Sequence, residues 1–499
     1  MHVYCTMELV REFGDPPLLL VAEDYIVLKL KTAWPRDVAV PEGLSLAKEN
    51  GLLLIANQKS LVSVANSVLP HMAKVSKALF CGCASFDSSD LYARAATKLL
   101  RETREICIVH NTDKVYKLIR MFPNARILAL VHDNCAHTLE WDEPWRDPSA
   151  PLVEHSQLRQ LVGSTSNLSE GSLMMSLETV QALLRTCPDV CRIDTGHIVN
   201  CLIESHDCPT MKKHRRAEKF THIWLHSQDI VSAGLPLNPA VAIDIALAAK
   251  NFPSVQKLKV AVATPRALAK ISAFRYLRSI HVLAASSDAF AHTDTVLKQL
   301  LKSWPDLEEL VLVHCGGLQL STIGKLCPKI KVLKLPMCMV SSEETIGDAN
   351  TFRYLEHVEM SVEIPNVAFN SLLSATQCNL RTARFLDDDM CFKFLQYCVH
   401  QARPLPFARL EHLTLKTSLS VRALGLVPGD LHDVLKALPV LRHLETDSYD
   451  LRLFFENYSV PRDRLSFSWT VCVYCSAEKG GRSWTENIAP FMASEIIRP

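Results

Sequence analysis

The densest group of side chains that could bind a metal ion lies between residues 187 and 214. Its cysteines and histidines are Cys187, Cys191, His197, Cys201, His206, Cys208 and His214. Structural zinc sites use four such ligands, commonly in close pairs, and the spacing from Cys187 to Cys191 fits such a pair. Cys187 also precedes Pro188 as Cys327 precedes Pro328, which favours a buried position at a helix end. We therefore predict core cysteines here and keep a zinc site as the alternative.

Other chemically capable groups lack partners at a useful spacing. The spacing of Cys472 and Cys475 is compatible with half of a zinc site or with a redox pair, but no second pair accompanies them. We expect the basic run 211–216 and the acidic run 387–389 to lie in solvated loops, with a nuclear localisation signal as the alternative for the basic run. No nucleophile-elbow, Walker A, zincin or dinucleotide-binding motif occurs. The sequence predicts a protein that is not an enzyme and uses no metal or cofactor.

The composition is that of a folded chain without a strong net charge. The 499 residues are 48% hydrophobic and 21% charged, and the formal net charge is +1. Such a chain can bury a large core, and it lacks the excess of positive charge that would attract a nucleic acid. The 17 cysteines are scattered along the chain, as expected of reduced thiols in the cytoplasm or nucleus. No stretch approaches the roughly 20 apolar residues needed to cross a bilayer, so we expect neither a nucleic-acid nor a membrane partner.

Two neighbouring segments share one spacing of apolar residues. Pro305 and Pro328 lie 23 residues apart, and each is followed by apolar side chains two, five and seven positions later and by a cysteine ten positions later. The fifth and seventh positions alternate with the period of a strand and point to one face. A helical run precedes each anchor and ends near the proline, which cannot continue a helix. The core residues predicted by this spacing include Leu310, Leu312, Leu333, Leu335, Leu413 and Leu415.

The same spacing recurs along most of the chain. Anchors fall at residues 123, 156, 188, 218, 253, 275, 305, 328, 353, 378, 408 and 439. Repeats of strand, loop and returning helix stack on copies of themselves, so the pattern predicts an α/β leucine-rich-repeat solenoid, a horseshoe like that of ribonuclease inhibitor. A doubly wound sheet is the alternative. We place an N-terminal cap with degenerate repeats at 1–100, the solenoid at 101–460 and a C-terminal cap or tail at 461–499.

Segment 305–338 combines a Leu-x-x-Leu-x-Leu-x-x-Cys pattern with a Cys-Pro pair before the next strand. In these features it resembles the cysteine-containing leucine-rich repeats of F-box/LRR proteins, clearly over 250–450 and weakly back to about 120. In that family an N-terminal F-box docks the chain onto a cullin–RING ubiquitin ligase, while the repeats capture the substrate. The resemblance therefore implies a cullin-ligase adaptor as a partner. The chain has no clear F-box, and Leu69-Pro70 is the one dipeptide loosely similar to its usual start.

Positions that alternate with the core side chains face the other side of the sheet. In a repeat array this side is the concave surface, on which solenoids bind their partners. The predicted partner-binding residues are Trp224, Lys257, Lys259, His281, Val311, Lys334, Glu359, Arg384, Thr414 and Glu445. Trp224 is the expected anchor, because tryptophan is enriched in interface hot spots. The histidines of this face predict pH-sensitive binding near their usual pKa of about 6.5, and the alternative for any one residue is a side chain that is polar only because it is wet.

Taken together, the patterns predict a protein-binding module, specifically a substrate-recognition or adaptor subunit in ubiquitin-dependent protein turnover. We expect it in the cytoplasm or the nucleus. A scaffold or inhibitor that binds one protein partner, without a link to ubiquitin, is the alternative. A zinc- or thiol-dependent enzyme built on the 187–214 segment is the third hypothesis.

Overall fold

The computed structural model describes the chain in separate segments. The described residues are 25–30, 44–47, 52–55, 61–62, 64–65, 75–81, 90–109, 115–132, 157–165, 175–195, 219–225, 242–284, 294–341, 351–400, 407–417, 426–446, 448–458 and 466–468. They fall into two compact units, one before Pro236 and one between Leu237 and Val471. Each unit is described by itself below.

The first unit begins with antiparallel strands and continues with parallel ones. Its strands are β1 (Tyr25–Leu30), β2 (Leu44–Ala47), β3 (Leu52–Ile55), β4 (Val75–Cys81), β5 (Glu105–Val109), β6 (Ile127–His132), β7 (Gln160–Thr165), β8 (Arg192–Ile193) and β9 (His222–Leu225). Its helices are α1 (Asp90–Leu100), α2 (Val115–Met121) and α3 (Leu177–Thr186). One sheet has the order β2-β3-β1-β4-β5-β6-β7-β8. Strand β1 pairs antiparallel with β3 and β4, whereas every pair from β4 to β8 is parallel.

The second unit is a regular succession of strand and helix. Its strands are β10 (Lys257–Val262), β11 (Ser279–Ala284), β12 (Glu309–Val313), β13 (Val332–Met339), β14 (His357–Glu363), β15 (Thr382–Phe385), β16 (His412–Leu415), β17 (His443–Thr446) and β18 (Ser466–Ser468). Its helices are α4 (Ala242–Asn251), α5 (Pro265–Lys270), α6 (Asp294–Leu301), α7 (Leu320–Leu326), α8 (Asn366–Thr376), α9 (Asp388–His400), α10 (Pro428–Ala437) and α11 (Tyr449–Tyr458). All pairs from β10 to β18 are parallel.

Strand order decides between the two folds that the spacing allows. From β10 to β18 each strand lies beside the one before it in the chain, without a reversal of order. A doubly wound sheet reverses its strand order at a switch point, whereas stacked repeats add strands in sequence. The fold is therefore an α/β leucine-rich-repeat solenoid, as the spacing predicts. The domain boundaries at residues 100 and 460 stay predictions; strand β18 lies beyond the second of them.

The core follows the fifth and seventh positions of the repeat. Neighbouring strands bring Leu258, Ile280, Leu310, Leu333, Val358, Ala383, Leu413 and Leu444 into one row. The six leucines predicted to be buried, from Leu310 to Leu415, are each at most 1% exposed. Helices cover this side of the sheet: the Phe385 ring of β15 stacks on Phe394 of α9 and meets Phe369 of α8 edge to face. The predicted core register is confirmed.

Cysteines at the repeat junctions serve as small buried side chains. Cys187 and Cys327 end α3 and α7, and their N–H groups donate to Leu183 and Ile323. Cys315 and Cys338 are buried and free, and the Cys338 thiol donates to the Leu312 carbonyl at 3.1 Å. A hydrogen bond with Cys338, and then burial, raise the pKa of the Cys315 thiol. Both side chains belong to the core, and the raised pKa keeps the Cys315 thiol in its less reactive protonated form.

Candidate functional site

Two rows of side chains in the second unit lie on the side of the sheet opposite the helices. They are the fourth and sixth positions of the repeat, and between β10 and β15 most of them are half-buried. We call this surface, from β10 to β15, the open face. With adjacent strands about 4.8 Å apart, it is about 24 Å across. Six of the ten predicted partner-binding residues are half-buried here: Lys257, Lys259, His281, Lys334, Glu359 and Arg384.

A cluster around Glu309 occupies one end of the open face. Lys257 Nζ lies 3.0 Å from Glu309 Oε2, His281 Nε2 lies 3.1 Å from Oε1, and the Ser279 hydroxyl donates to Oε2. The parallel register explains this convergence, because Lys257, Ser279 and Glu309 are successive partners on β10, β11 and β12. The carboxylate is thereby held by three neighbours from two other repeats.

A second cluster is centred on Glu359 of β14. Lys334 on β13 and Arg384 on β15 are its direct register partners, and both reach its Oε2, at 3.5 Å and 3.2 Å. Burial would raise the pKa of Glu359, but the two cations and their hydrogen bonds outweigh it and lower the pKa. Burial also lowers the pKa of His357, two residues earlier. The Glu359 carboxylate is therefore paired with two cations from the neighbouring strands.

Acid should weaken the second unit through Glu309. Burial alone would raise the pKa of Glu309, but the hydrogen bond and charge of His281, the charge of Lys257 and the Ser279 hydroxyl hold it well below its usual range. A depressed folded-state pKa contributes stability that is present above the unfolded pKa of about 4.3 and is lost as pH falls below it. We expect thermal melts between pH 7 and pH 3 to show this loss, on the order of 2 kcal/mol.

The Glu309→Gln variant should be less stable at pH 7, and its stability should change less on acidification. Glu308→Gln removes the exposed carboxylate at the neighbouring position and should preserve the wild-type pH profile. Equal pH profiles for Glu309→Gln and the wild type would contradict this role of Glu309.

Three of the predicted outward side chains in the second unit are buried, which corrects three expectations. Thr414 and Glu445 are 6% and 9% exposed, and the Thr414 hydroxyl donates to Glu445 Oε2 at 2.9 Å. Val311, in the middle of the face, is 7% exposed. These three side chains were predicted to contact a partner. Alternation along a strand gives the direction of a side chain, but it does not show which residues cover that side chain. All three stabilise the unit from within.

The prediction that Trp224 anchors a partner needs the largest correction. Trp224 lies on β9 with a burial pattern in which only His222 is half-buried, and the indole is 3% exposed. An anchor residue must offer its surface to a partner. The expectation of an exposed tryptophan anchor is wrong because the strand buries both Ile223 and Trp224, rather than alternate residues alone.

Of the metal-capable residues between 187 and 214, the structure describes Cys187 and Cys191. Cys187 is fully buried, whereas Cys191 is half-buried with its thiol 3.4 Å from the Arg159 carbonyl. Burial raises the pKa of the Cys191 thiol against the opposing charges of Arg159, Arg192 and Lys219. Within the described segments, no three His, Cys, Asp or Glu residues are grouped to hold a metal. His197, Cys201, His206, Cys208, His214, Cys472, Cys475 and the basic run 211–216 lie outside the described residues.

A charged row immediately before the strands of the second unit escaped the sequence analysis. We call it the pre-strand row; its members are Arg278, Glu308, Lys331, Glu356, Arg381, Glu411 and Arg442. Their charges alternate in sign, and Glu308 pairs with both Arg278 and Lys331, at 3.6 Å and 2.8 Å. Side-chain exposures of 36% to 64% make each pair worth at most about 1 kcal/mol. In the sequence these residues lie three positions after the seven anchors from 275 to 439.

Comparisons with known proteins concern the fold. No family model and no curated protein matches the sequence. Among solved structures, the chain is similar to the yeast Rad7–Elc1 complex, with 13% identity, a TM-score of 0.41 and coverage of 82% of this chain and 92% of that one. It is also similar to an LRR protein of Leptospira interrogans, with 12% identity, a TM-score of 0.29 and coverages of 76% and 86%.

A third similar structure is that of TLR13 in complex with ssRNA13, with 12% identity, a TM-score of 0.37 and 75% of this chain covered. The chain spans 54% of the TLR13 chain. In the described part of the chain, no helix is long and apolar enough to cross a membrane.

Proposed function

We propose that the chain is a non-catalytic binding module whose open face holds another protein. The observation that carries the proposal is the open face itself. Parallel sheets are almost always covered on both sides, yet between β10 and β15 the side opposite the helices keeps nine charged or polar side chains half-buried. A surface of this kind is retained where a partner covers it.

The chemistry of the open face suits a protein more than a small molecule. Small-molecule sites are concave and mostly apolar, whereas this face is a sheet surface that carries ion-paired Glu309 and Glu359. The ion pairs hold Lys334 and Arg384 in position before binding. Side chains that are already ordered lose less conformational entropy in an interface, so a partner with complementary charges and hydrogen-bonding groups is favoured.

The setting we propose is substrate recognition in ubiquitin-dependent protein turnover. Its support is the cysteine-containing repeat pattern of 305–338 and the resemblance that this pattern carries. The absence of a clear F-box start in the sequence favours the second candidate, a scaffold or inhibitor that acts without ubiquitin. Affinity purification with mass spectrometry separates the two, because recovery of cullin-ligase subunits is expected only for the first.

The test of the open face compares two tryptophan insertions. Thr382→Trp places a bulky ring between His357 and His412, its register partners, and breaks none of the described ion pairs. Lys325→Trp places the same ring on an exposed position of α7. We expect Thr382→Trp to lose at least about tenfold in affinity for proteins that the wild type recovers, while Lys325→Trp retains them.

Charge reversal provides the second arm. Lys334→Glu with Arg384→Glu reverses both partners of Glu359, and Lys270→Glu with Lys325→Glu is the matched pair on exposed helix positions. Thermal melts of both variants must accompany the binding data, because the first pair brings three carboxylates together. Loss of partners from the helix variants, with retention by both open-face variants, would refute the proposal.

A further inference from the structure

The pre-strand position has the same backbone geometry in both units. In the second unit each N–H donates to the pre-strand carbonyl one repeat earlier, as from Glu308 to Arg278 at 2.7 Å and from Lys331 to Glu308 at 2.8 Å. In the first unit Arg126 N–H donates to the Arg104 carbonyl at 2.7 Å, and Arg159 N–H to the Arg126 carbonyl at 2.9 Å. These positions are therefore equivalent, and their side chains can be compared directly.

Four positions of the first unit share this geometry, because the Cys191 N–H also donates to the Arg159 carbonyl, at 2.8 Å, and the first three of them carry the same charge. Arg104, Arg126 and Arg159 precede β5, β6 and β7, and all three are exposed. Among the residues that the structure describes, none of the three forms an ion pair. Like charges facing each other on neighbouring strands destabilise a sheet, and these strands are about 4.8 Å apart.

The second unit shows that the repeat does not require arginine here. Its pre-strand row alternates acid and base and forms ion pairs across the strands. A row of three arginines is therefore a departure from the chain's own pattern. It leaves a short line of positive charge whose mutual repulsion an anion would relieve.

We propose that Arg104, Arg126 and Arg159 form a docking strip for an acidic segment of a partner protein. Guanidinium groups bind carboxylates through two parallel hydrogen bonds. The strip is about 10 Å long, which an extended peptide covers with about three residues. We favour a peptide over a nucleic acid because the net charge of +1 lacks the general basic character that usually marks a nucleic-acid-binding chain. The proposal is independent of the open face, which belongs to the second unit.

Fluorescence anisotropy with the full-length chain tests the strip. The probe is a short labelled peptide of alternating glutamate and serine. We expect the wild type to bind it with an affinity that falls as salt is added, because salt screens exposed charges. Arg104→Gln with Arg126→Gln and Arg159→Gln should weaken binding at least about tenfold. The triple variant should not melt below the wild type, because it loses only exposed, mutually repelling charges.

The matched control is Arg278→Gln with Arg381→Gln and Arg442→Gln, which changes the net charge by the same amount in the pre-strand row of the second unit. This variant should bind the peptide as the wild type does. Equal weakening by both triple variants, or no salt-dependent binding by the wild type, would refute the strip. A single-stranded oligonucleotide of equal charge serves as the competitor. If it displaces the peptide and its binding depends on the same three arginines, the ligand of the strip is a nucleic acid and the assignment to an acidic peptide is overturned.

Discussion

Replacing Phe385 by alanine should destabilise the second unit by about 3–5 kcal/mol, the usual cost of emptying a phenylalanine site in a core. Phe385 is fully buried at the seventh repeat position of β15. Its ring centroid lies 4.8 Å from that of Phe394 and 5.7 Å from that of Phe369. The side chain thus joins β15 to α8, which precedes it in the chain, and to α9, which follows it. The backbone cannot fill the cavity left by the ring without moving the strand and both helices.

The matched control is Phe392→Ala in α9, where the ring is 38% exposed. Surface substitutions of this kind usually change stability by no more than about 0.5 kcal/mol. Denaturant titration of both variants measures the difference. Because each repeat is stabilised by its neighbours, hydrogen exchange should quicken in β14 and β16 as well as in β15. Coincident unfolding curves for the two variants would show that the side chain at the seventh repeat position of β15 does not contribute to the hydrophobic core.

The buried rows could be predicted because they depend on local spacing alone. Leu310 and Leu312, or Leu333 and Leu335, lie two residues apart, and a strand must place both on one side. Strands β3 and β5 of the first unit are short, mostly apolar runs, which also follow from the local sequence. The pairing direction of β1 to β3 does not, because an antiparallel partner is a property of two segments and not of one.

The exposure of the outward rows could not be predicted in the same way. Val311, Thr414 and Glu445 occupy outward positions, yet each is buried. Contacts between repeats do not follow from the spacing within one repeat: the Thr414 hydroxyl, for example, donates to Glu445 of the next strand. Ion pairing follows the same logic, since Glu359 gathers Lys334 and Arg384 only when β13, β14 and β15 align. Alternation predicts the side of the sheet, and the register decides the contacts.

The second large effect on stability is expected from replacing Gly324 of α7 by alanine, because this part of the helix packs closely against its neighbours. A methyl group added at Gly324 would collide with Thr351 and would approach two ring carbons of Phe352 to 3.2 Å. Phe352 is fully buried and holds a left-handed backbone conformation with φ of 68°, so neither its ring nor its backbone can move away freely. Gly324→Ala should therefore cost about 1–3 kcal/mol from overpacking, which exceeds the gain of about 0.5–1 kcal/mol that alanine brings to a helix.

The same glycine-to-alanine substitution should increase stability, rather than decrease it, in α10. At Gly429 an added methyl group would meet no atom within 4 Å, so Gly429→Ala keeps the helical gain, up to about 1 kcal/mol, and adds no collision. Thermal melts of the two variants against the wild type should move in opposite directions. Because the chemical change is identical, only the surroundings of the two positions can separate them. A Gly324→Ala variant that melts at or above the wild type would mean that Phe352 does not lie against α7.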